Sequence, residues 1–244
     1  MLVLEVADVI RSRLGWPTVT ALTRRFAPGG TCLTCGDRFG AGPLSVRAYR
    51  GHDGIVTLIA YHVGCAASAW LEVGPAAMPC ETWTAATTSA MIPVIIARTR
   101  RQRRARTQSH VLPVMLVRPS LEVARVRPVA VREAVNADRE DYCRLGFTDP
   151  GPFSGACRLS CTGQSWLLPN GDHFLICFAA GGRAWFAPVH QQPPFGLVTS
   201  CHGIVVGIIC DRDPVELSVD ARLLGDGVAS GEVLLGWAPL ARQQ

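Results

Sequence analysis

Residues 31–36 read TCLTCG and residues 61–65 read YHVGC, and 26 residues separate the second cysteine of the first segment from the histidine of the second. Each segment offers two soft ligand atoms three positions apart, so each pair can curl around one side of a tetrahedral Zn²⁺ ion. Gly36 permits the unusual backbone of a zinc knuckle. The predicted zinc ligands are Cys32, Cys35, His62 and Cys65. The competing interpretation is that these four are unrelated core residues.

The segment between the two ligand pairs must fold back on itself, and its residues have the pattern of a β-hairpin. Leu44 to Tyr49 and Ile55 to Tyr61 are predicted strands, joined by a turn at residues 50–54. Ala66 to Val73 is predicted to be a short helix, which would place Cys65 at a helix N-terminus that favours the thiolate. Because protein atoms fill all four positions, the ion is expected to be structural rather than catalytic.

This order of Cys-x2-Cys, hairpin, His-x2-Cys and helix resembles a treble-clef zinc finger. Tyr61 before His62 makes the segment similar to the zinc finger of the poly(ADP-ribose) polymerase type, whose members bind DNA. The resemblance covers residues 32–71 and implies the same four zinc ligands, but treble clefs serve many functions. The whole chain also resembles uncharacterised Arg-rich, Lys-poor proteins of high-GC actinobacteria, which implies no activity.

The basic residues narrow the possible chemistry. All 24 are arginine, and the chain of 244 residues carries a formal net charge of +5. GC-rich coding is the simplest explanation, yet the absence of lysine excludes a Schiff-base lysine, a Walker A motif and a kinase-type lysine.

Membrane insertion and secretion are not expected. The longest apolar runs, Ile92 to Ala97 and Gly203 to Cys210, are far shorter than the roughly 18 to 20 residues that span a bilayer. Glu5 and Asp8 interrupt the apolar residues at the start, which is unlike a signal peptide. Ten cysteines are too few for a disulfide scaffold of this length, so we expect a cytoplasmic protein whose thiols are free, metal-bound or catalytic.

The first 30 residues are predicted to form a helical lead-in. Apolar residues from Leu2 to Leu14 share one helical face, and a second short helix follows from Val19 to Phe26. A helix-turn-helix is the alternative, which Pro17 in the link and the short second helix disfavour.

Residues 91–148 are predicted to hold a pair of strands, an Arg-rich loop and a helix. Ile92 to Arg98 and Leu112 to Arg118 repeat one apolar pattern and should pair, and Val131 to Leu145 has helical periodicity. Between the paired strands lie six arginines in nine residues: Arg98, Arg100, Arg101, Arg103, Arg104 and Arg106. Guanidinium groups at this density favour contact with nucleic-acid phosphates. A solvated loop, or contact with an acidic protein or membrane surface, remains open.

Residues 149–244 are predicted to form an antiparallel β-rich domain. The turn residues Asn170-Gly171 and Gly181-Gly182 separate three strands of a meander, whose middle strand, His173 to Ala180, should be buried. Further strands are expected within this domain. They are Leu197 to Ser200, Ile204 to Cys210, Glu216 to Val219 and Glu232 to Trp237.

The remaining cysteines suggest two weaker hypotheses. Cys143, Cys157, Cys161 and Cys177 have the count but not the paired spacing of a second metal site. Cys201 together with His173 or His190, oriented by Asp172 or Asp211, would make a Cys-dependent enzyme.

The sequence therefore predicts an α+β protein that works by binding. Its four segments are a helical lead-in (1–30), a zinc-binding treble-clef-like module (31–90), the strand pair with Arg-rich loop and helix (91–148), and the β-rich domain (149–244). Nucleic acid is the expected partner, a protein partner for an adaptor is the alternative, and a Cys-dependent enzyme is the second alternative.

Overall fold

The structure is a computed structural model, which describes most of the chain. The described residues are 3–26, 29–72, 84–95, 109–149, 159–160, 162–170, 173–189, 202–209, 217–218 and 221–241. Two compact units share the chain: the first unit holds residues 1–86 and 119–141, and the second unit holds residues 87–118 and 142–244. Residues of the predicted segment 91–148 thus contribute to both units.

Helices and strands alternate irregularly along the described chain. The helices are α1 Asp8–Leu14, α2 Trp16–Arg25, α3 Ala137–Arg144 and α4 Ala221–Ala229. The strands are β1 Leu4–Glu5, β2 Leu44–Arg50, β3 Val56–His62, β4 Ala69–Glu72, β5 Ala86–Ile95, β6 Ser109–Arg118, β7 Val123–Ala130, β8 Glu133–Asn136, β9 Gln164–Asn170, β10 His173–Ala180, β11 Arg183–Val189, β12 Gly203–Ile209 and β13 Val233–Pro239. This mixture of helices with strand-rich sheets confirms the predicted α+β content.

The first unit is built on one sheet of order β1-β2-β3-β7-β8. The predicted hairpin is confirmed: β2 and β3 pair antiparallel, with Leu44 opposite His62 and Arg50 opposite Val56. β1 and β4 both pair with β2 in the parallel sense. The hairpin therefore lies inside the sheet and carries His62 to the end of a strand that is held on both sides.

Both predicted lead-in helices are present and pack on this sheet, but the first begins only at Asp8, because Leu4–Glu5 pairs with β2 instead. Ile10, Leu14 and Leu22 are completely buried in the core of the first unit. Gly15 alone joins the helices, at a φ of +80°, and a Cβ atom there would lie 1.9 Å from the carbonyl oxygen of Arg132. One residue is too short for the turn of a helix-turn-helix, so that alternative is wrong.

Two further predicted helices in the first unit are wrong in whole or in part. Residues predicted as a helix from Ala66 include β4, where strand hydrogen bonds pair the chain with β2. The helix predicted from Val131 begins only at Ala137, because Glu133–Asn136 pairs with β7 instead. In both places an available sheet edge satisfies the backbone and overrides the local periodicity.

In the second unit, β9, β10 and β11 form the predicted antiparallel meander with β10 in the middle. Gly181 and Gly182 connect β10 to β11 with φ values of +57° and +76°, as a primed two-residue turn requires. Ile176, Cys177 and Phe178 are buried, which confirms the expected central strand.

A second sheet of this unit has the order β13-β12-β6-β5. β5 and β6 are neighbours, so the predicted strand pair is confirmed. β12 pairs antiparallel with β13 and parallel with β6, a strand of the predicted segment 91–148, so this sheet is mixed. The pairing with β12 begins at Val114, just after Pro113, whose nitrogen has no proton to donate.

This four-stranded sheet is buried on both faces. One face packs with the meander through side chains such as Val206 and Phe178, and the other packs with α4 through Leu224 and Val228. The sequence patterns did not predict α4, and they predicted a strand at Glu216 to Val219, where Leu217 and Ser218 are helical. The strand expected at Leu197 to Ser200 lies outside the described residues.

Candidate metal centre

The first ligand pair sits in a tight loop closed by the bridge between Thr31 and Arg38. Within this loop the amide of Cys32 donates to the carbonyl oxygen of Asp37 at 2.9 Å, and the amide of Gly36 donates to the carbonyl oxygen of Cys32 at 2.9 Å. Gly36 has a φ of +80°, a conformation that glycine adopts without strain. The chain thus turns sharply enough to bring both cysteine side chains to one side.

The second ligand pair follows the end of β3. His62 is the last residue of the strand, and the amides of Cys65 and Ala66 both donate to its carbonyl oxygen, at 2.9 and 3.2 Å. This turn brings the Cys65 thiol back beside the His62 ring. No helix follows directly, since residues 69–72 form β4, so a helix dipole does not act on Cys65.

The four candidate ligand atoms lie close together. The sulfur atoms of the three cysteines and a ring nitrogen of His62 lie within 4.8 Å of one another, and Cys35 Sγ is 3.3 Å from His62 Nδ1. Tetrahedral zinc with ligands at about 2.0 to 2.3 Å requires ligand atoms about 3.5 to 3.8 Å apart. A contraction of roughly 1 Å at most therefore suffices for the group to hold a metal ion.

The environment of the thiols differs from one cysteine to the next. Burial raises the pKa of Cys32, but hydrogen bonds from the backbone of Cys35, His62 and Thr34 outweigh it and lower that pKa to about 6. A side-chain hydrogen bond with Cys35, followed by desolvation and the nearby Cys32, raises the pKa of Cys65 to about 11. The protein alone thus favours the thiolate at Cys32 and the thiol at Cys65, and a divalent cation would favour the thiolate at both.

Side chains next to the candidate ligands contact them or support the loop that carries them. The ring of Phe39 meets the His62 ring edge to face, with centroids 5.4 Å apart. The hydroxyl of Thr84 donates to Thr31 Oγ1 at 2.9 Å, and the amide of Thr84 donates to the carboxyl group of Glu122, which is only 1% exposed. Thr84 and Glu122 were missed in the sequence because they lie far from the ligands along the chain and follow no motif.

The other predicted site residues have mixed outcomes. All six arginines of residues 98–106 lie outside the described residues, as do Cys157, Cys161, His190, Cys201, Asp172 and Asp211. Within the described parts of the chain, the Cys3His group is the only cluster of such side chains that could hold a metal ion. Cys143 is exposed and Cys177 is buried in β10, where burial raises its pKa.

Comparison with protein family models, with curated proteins and with solved structures found no match. The resemblance to the poly(ADP-ribose) polymerase type of finger and to actinobacterial proteins stays a prediction. No helix in the described ranges is both long enough and apolar enough to cross a membrane.

Proposed function

We propose that this chain is a zinc-binding protein whose metal is structural and whose activity is the binding of nucleic acid. The convergence of Cys32, Cys35, His62 and Cys65 within 4.8 Å carries the first part. Three thiolates and one imidazole are a ligand set that suits Zn²⁺. Four protein ligands leave no position for water or substrate, so the ion supports folding rather than catalysis. A reducing cytoplasm would keep these thiols available.

The zinc ion would hold the knuckle of residues 31–38 against the end of β3. The backbone hydrogen bonds of this loop are internal to residues 29–39. Buried side chains, among them Cys32 and Phe39, are the other contacts that fasten it to the first unit. Metal-binding free energy in such a loop is largely folding free energy. We include the treble-clef arrangement of the four ligands in this proposal. The helix that usually follows the second ligand pair in a treble clef is replaced here by β4.

The nucleic-acid part of the proposal rests on the Arg-rich run of residues 98–106. Six guanidinium groups in nine residues can each make bidentate contacts with phosphate, and the chain carries a net charge of +5. An adaptor that binds another protein is the alternative, in which the same arginines solvate a loop.

Metal analysis of purified protein tests the first part. We expect one zinc per chain in the wild type and none in the double variant Cys35→Ser/His62→Ala, which should also lose protection of residues 31–38 in hydrogen exchange. The matched control is Cys143→Ser, since Cys143 is exposed and outside the group. Zinc-free wild-type protein as stable as the double variant would overturn this part.

A salt titration tests the second part. Affinity for a generic duplex should fall with a log-log slope of about −0.9 for each phosphate neutralised. Replacing Arg100, Arg101, Arg103 and Arg104 with glutamine should flatten that slope while zinc content stays unchanged. If the wild type binds neither duplex nor single strands at low salt, the adaptor replaces nucleic-acid binding.

A further inference from the structure

One face of the three-stranded meander is turned away from the core. Side chains alternate between the two faces along its strands. Leu167, Trp185 and Ala187 face the core and are buried, whereas their neighbours Trp166, Leu168 and Phe186 face away and are partly or largely exposed. The described outward residues, which we call the outer face, are Gln164, Trp166, Leu168, Leu175, Cys177, Ala179, Ala184 and Phe186. The pairing register places them in three parallel rows across the sheet.

The middle row of the outer face carries two large aromatic side chains. Trp166 is opposite Cys177, and Cys177 is opposite Phe186 on the other side of β10. Neighbouring strands are about 4.8 Å apart, so the two aromatic residues are roughly 10 Å apart across the sheet. Phe186 is 50% exposed, whereas Cys177 is 7% exposed and forms the floor between the two rings. Trp166 is partly exposed. An exposed aromatic ring beside a partly exposed one is a feature of many binding surfaces.

A shallow, open cleft of about 440 Å³ adjoins this row at the end of the sheet. Trp166, Gln164 and Arg183 line it together with glycines of the β10–β11 turn. A Cβ atom on Gly182 would meet no atom within 4 Å, so the turn leaves open space at the cleft. The cleft thus offers one aromatic ring, one carboxamide and one guanidinium group.

The charge of this surface indicates which class of ligand it would bind. Arg183 is the one charged residue among the described residues of the outer face and the cleft, and none of them is a carboxylate. Aromatic rings stack on unpaired bases, arginine binds phosphate, and glutamine reads base edges. A duplex hides its base faces inside the stack, so a stacking surface favours single strands.

We propose that the outer face and its cleft bind single-stranded nucleic acid, with bases stacked on Trp166 and Phe186 and a phosphate bound by Arg183. This inference rests on the proposed nucleic-acid function and adds to it the class of strand that is bound. It assigns base contact to the meander and leaves general phosphate contact to residues 98–106.

Three labelled probes of equal length test the inference in fluorescence anisotropy: oligothymidylate, the same backbone without bases, and a duplex. The wild type should bind oligothymidylate at least about tenfold more tightly than the abasic strand. Trp166→Ala and Phe186→Ala should each weaken oligothymidylate binding about 5- to 100-fold and leave duplex binding unchanged. Trp166→Phe should retain most of the affinity, because phenylalanine also stacks.

The matched control is Trp16→Ala, since Trp16 is 68% exposed in the first unit and should leave all three affinities unchanged. The comparison of oligothymidylate with the abasic strand uses wild-type protein, so it holds even if Trp166→Ala fails to fold. Retained base preference in the variant with Arg100, Arg101, Arg103 and Arg104 replaced by glutamine would support the outer face independently of the Arg-rich run.

Equal wild-type affinity for the oligothymidylate and abasic strands would overturn the inference. Salt-dependent duplex binding in the same experiment would leave the phosphate contact standing, whereas no binding to any probe would end both proposals. If Phe186→Ala leaves oligothymidylate binding unchanged but reduces the mass of the particle in solution, the outer face is a contact between copies of this chain and the inference is wrong.

Discussion

The substitution Gly36→Ala tests whether the conformation of the knuckle, residues 31–38, depends on zinc. Gly36 has a φ of +80°, and a Cβ atom there would meet nothing within 4 Å. The substitution therefore adds backbone strain of about 1 to 2 kcal/mol and no steric clash. In the proposed function the metal is the main support of the knuckle, so this strain should appear in zinc binding, as an affinity lower by roughly 5- to 30-fold.

Gly54→Ala is the matched control for this substitution. Gly54 lies in the β2–β3 turn of the same unit, has a φ of +75°, and a Cβ atom there would also meet nothing within 4 Å. Its strain should lower the free energy of unfolding by a similar amount but leave zinc affinity within about twofold of the wild type. Competition with a chromophoric chelator measures the affinity, and urea denaturation measures the stability.

Equal zinc affinities for the two variants would refute this reasoning. That result would mean that the knuckle holds its conformation without the metal, so that the strain at Gly36 is present in the metal-free and metal-bound protein alike. A clash rather than strain would be indicated if Gly36→Ala prevented folding altogether.

Three further predictions concern stability. Gly15→Ala should destabilise the first unit by more than Gly54→Ala, since it adds to similar strain a contact of 1.9 Å with the Arg132 carbonyl oxygen; urea denaturation of both variants compares them. Burial raises the pKa of Glu122, so its stabilising contribution is present at acid pH and is lost as pH rises through the raised pKa. Glu122→Gln should therefore gain stability relative to the wild type as pH increases towards neutrality and above, and parallel pH profiles would contradict this. Gly182→Val should cost on the order of 1 to 3 kcal/mol from strain in the primed turn, and an unchanged denaturation midpoint would contradict it.

The candidate metal ligands could be predicted from the sequence because their spacing is local. Two residues three positions apart already define one side of a tetrahedral site, and the hairpin between the pairs follows from strand propensity and a glycine-containing turn. The hydrogen-bond chain from Thr31 through Thr84 to Glu122 could not be predicted, since it joins three distant segments without a repeated pattern.

Errors in the predicted fold come from sheet pairing between distant segments. Trp70 and Leu71 fit a short helix by local pattern, but the edge of β2 offers hydrogen bonds that a helix there could not use. The parallel pairing of β6 with β12 joins residues about 90 positions apart, which no local signal encodes. The two-residue turn signals of the meander, in contrast, fix their strands locally, and the predicted meander is confirmed.

X-ray absorption at the zinc edge of the purified protein tests the central claim most directly. The account predicts one zinc per chain with three sulfur atoms at about 2.3 Å and one nitrogen atom at about 2.0 to 2.1 Å. Protein that retains no zinc, or zinc surrounded mainly by oxygen atoms, would contradict it.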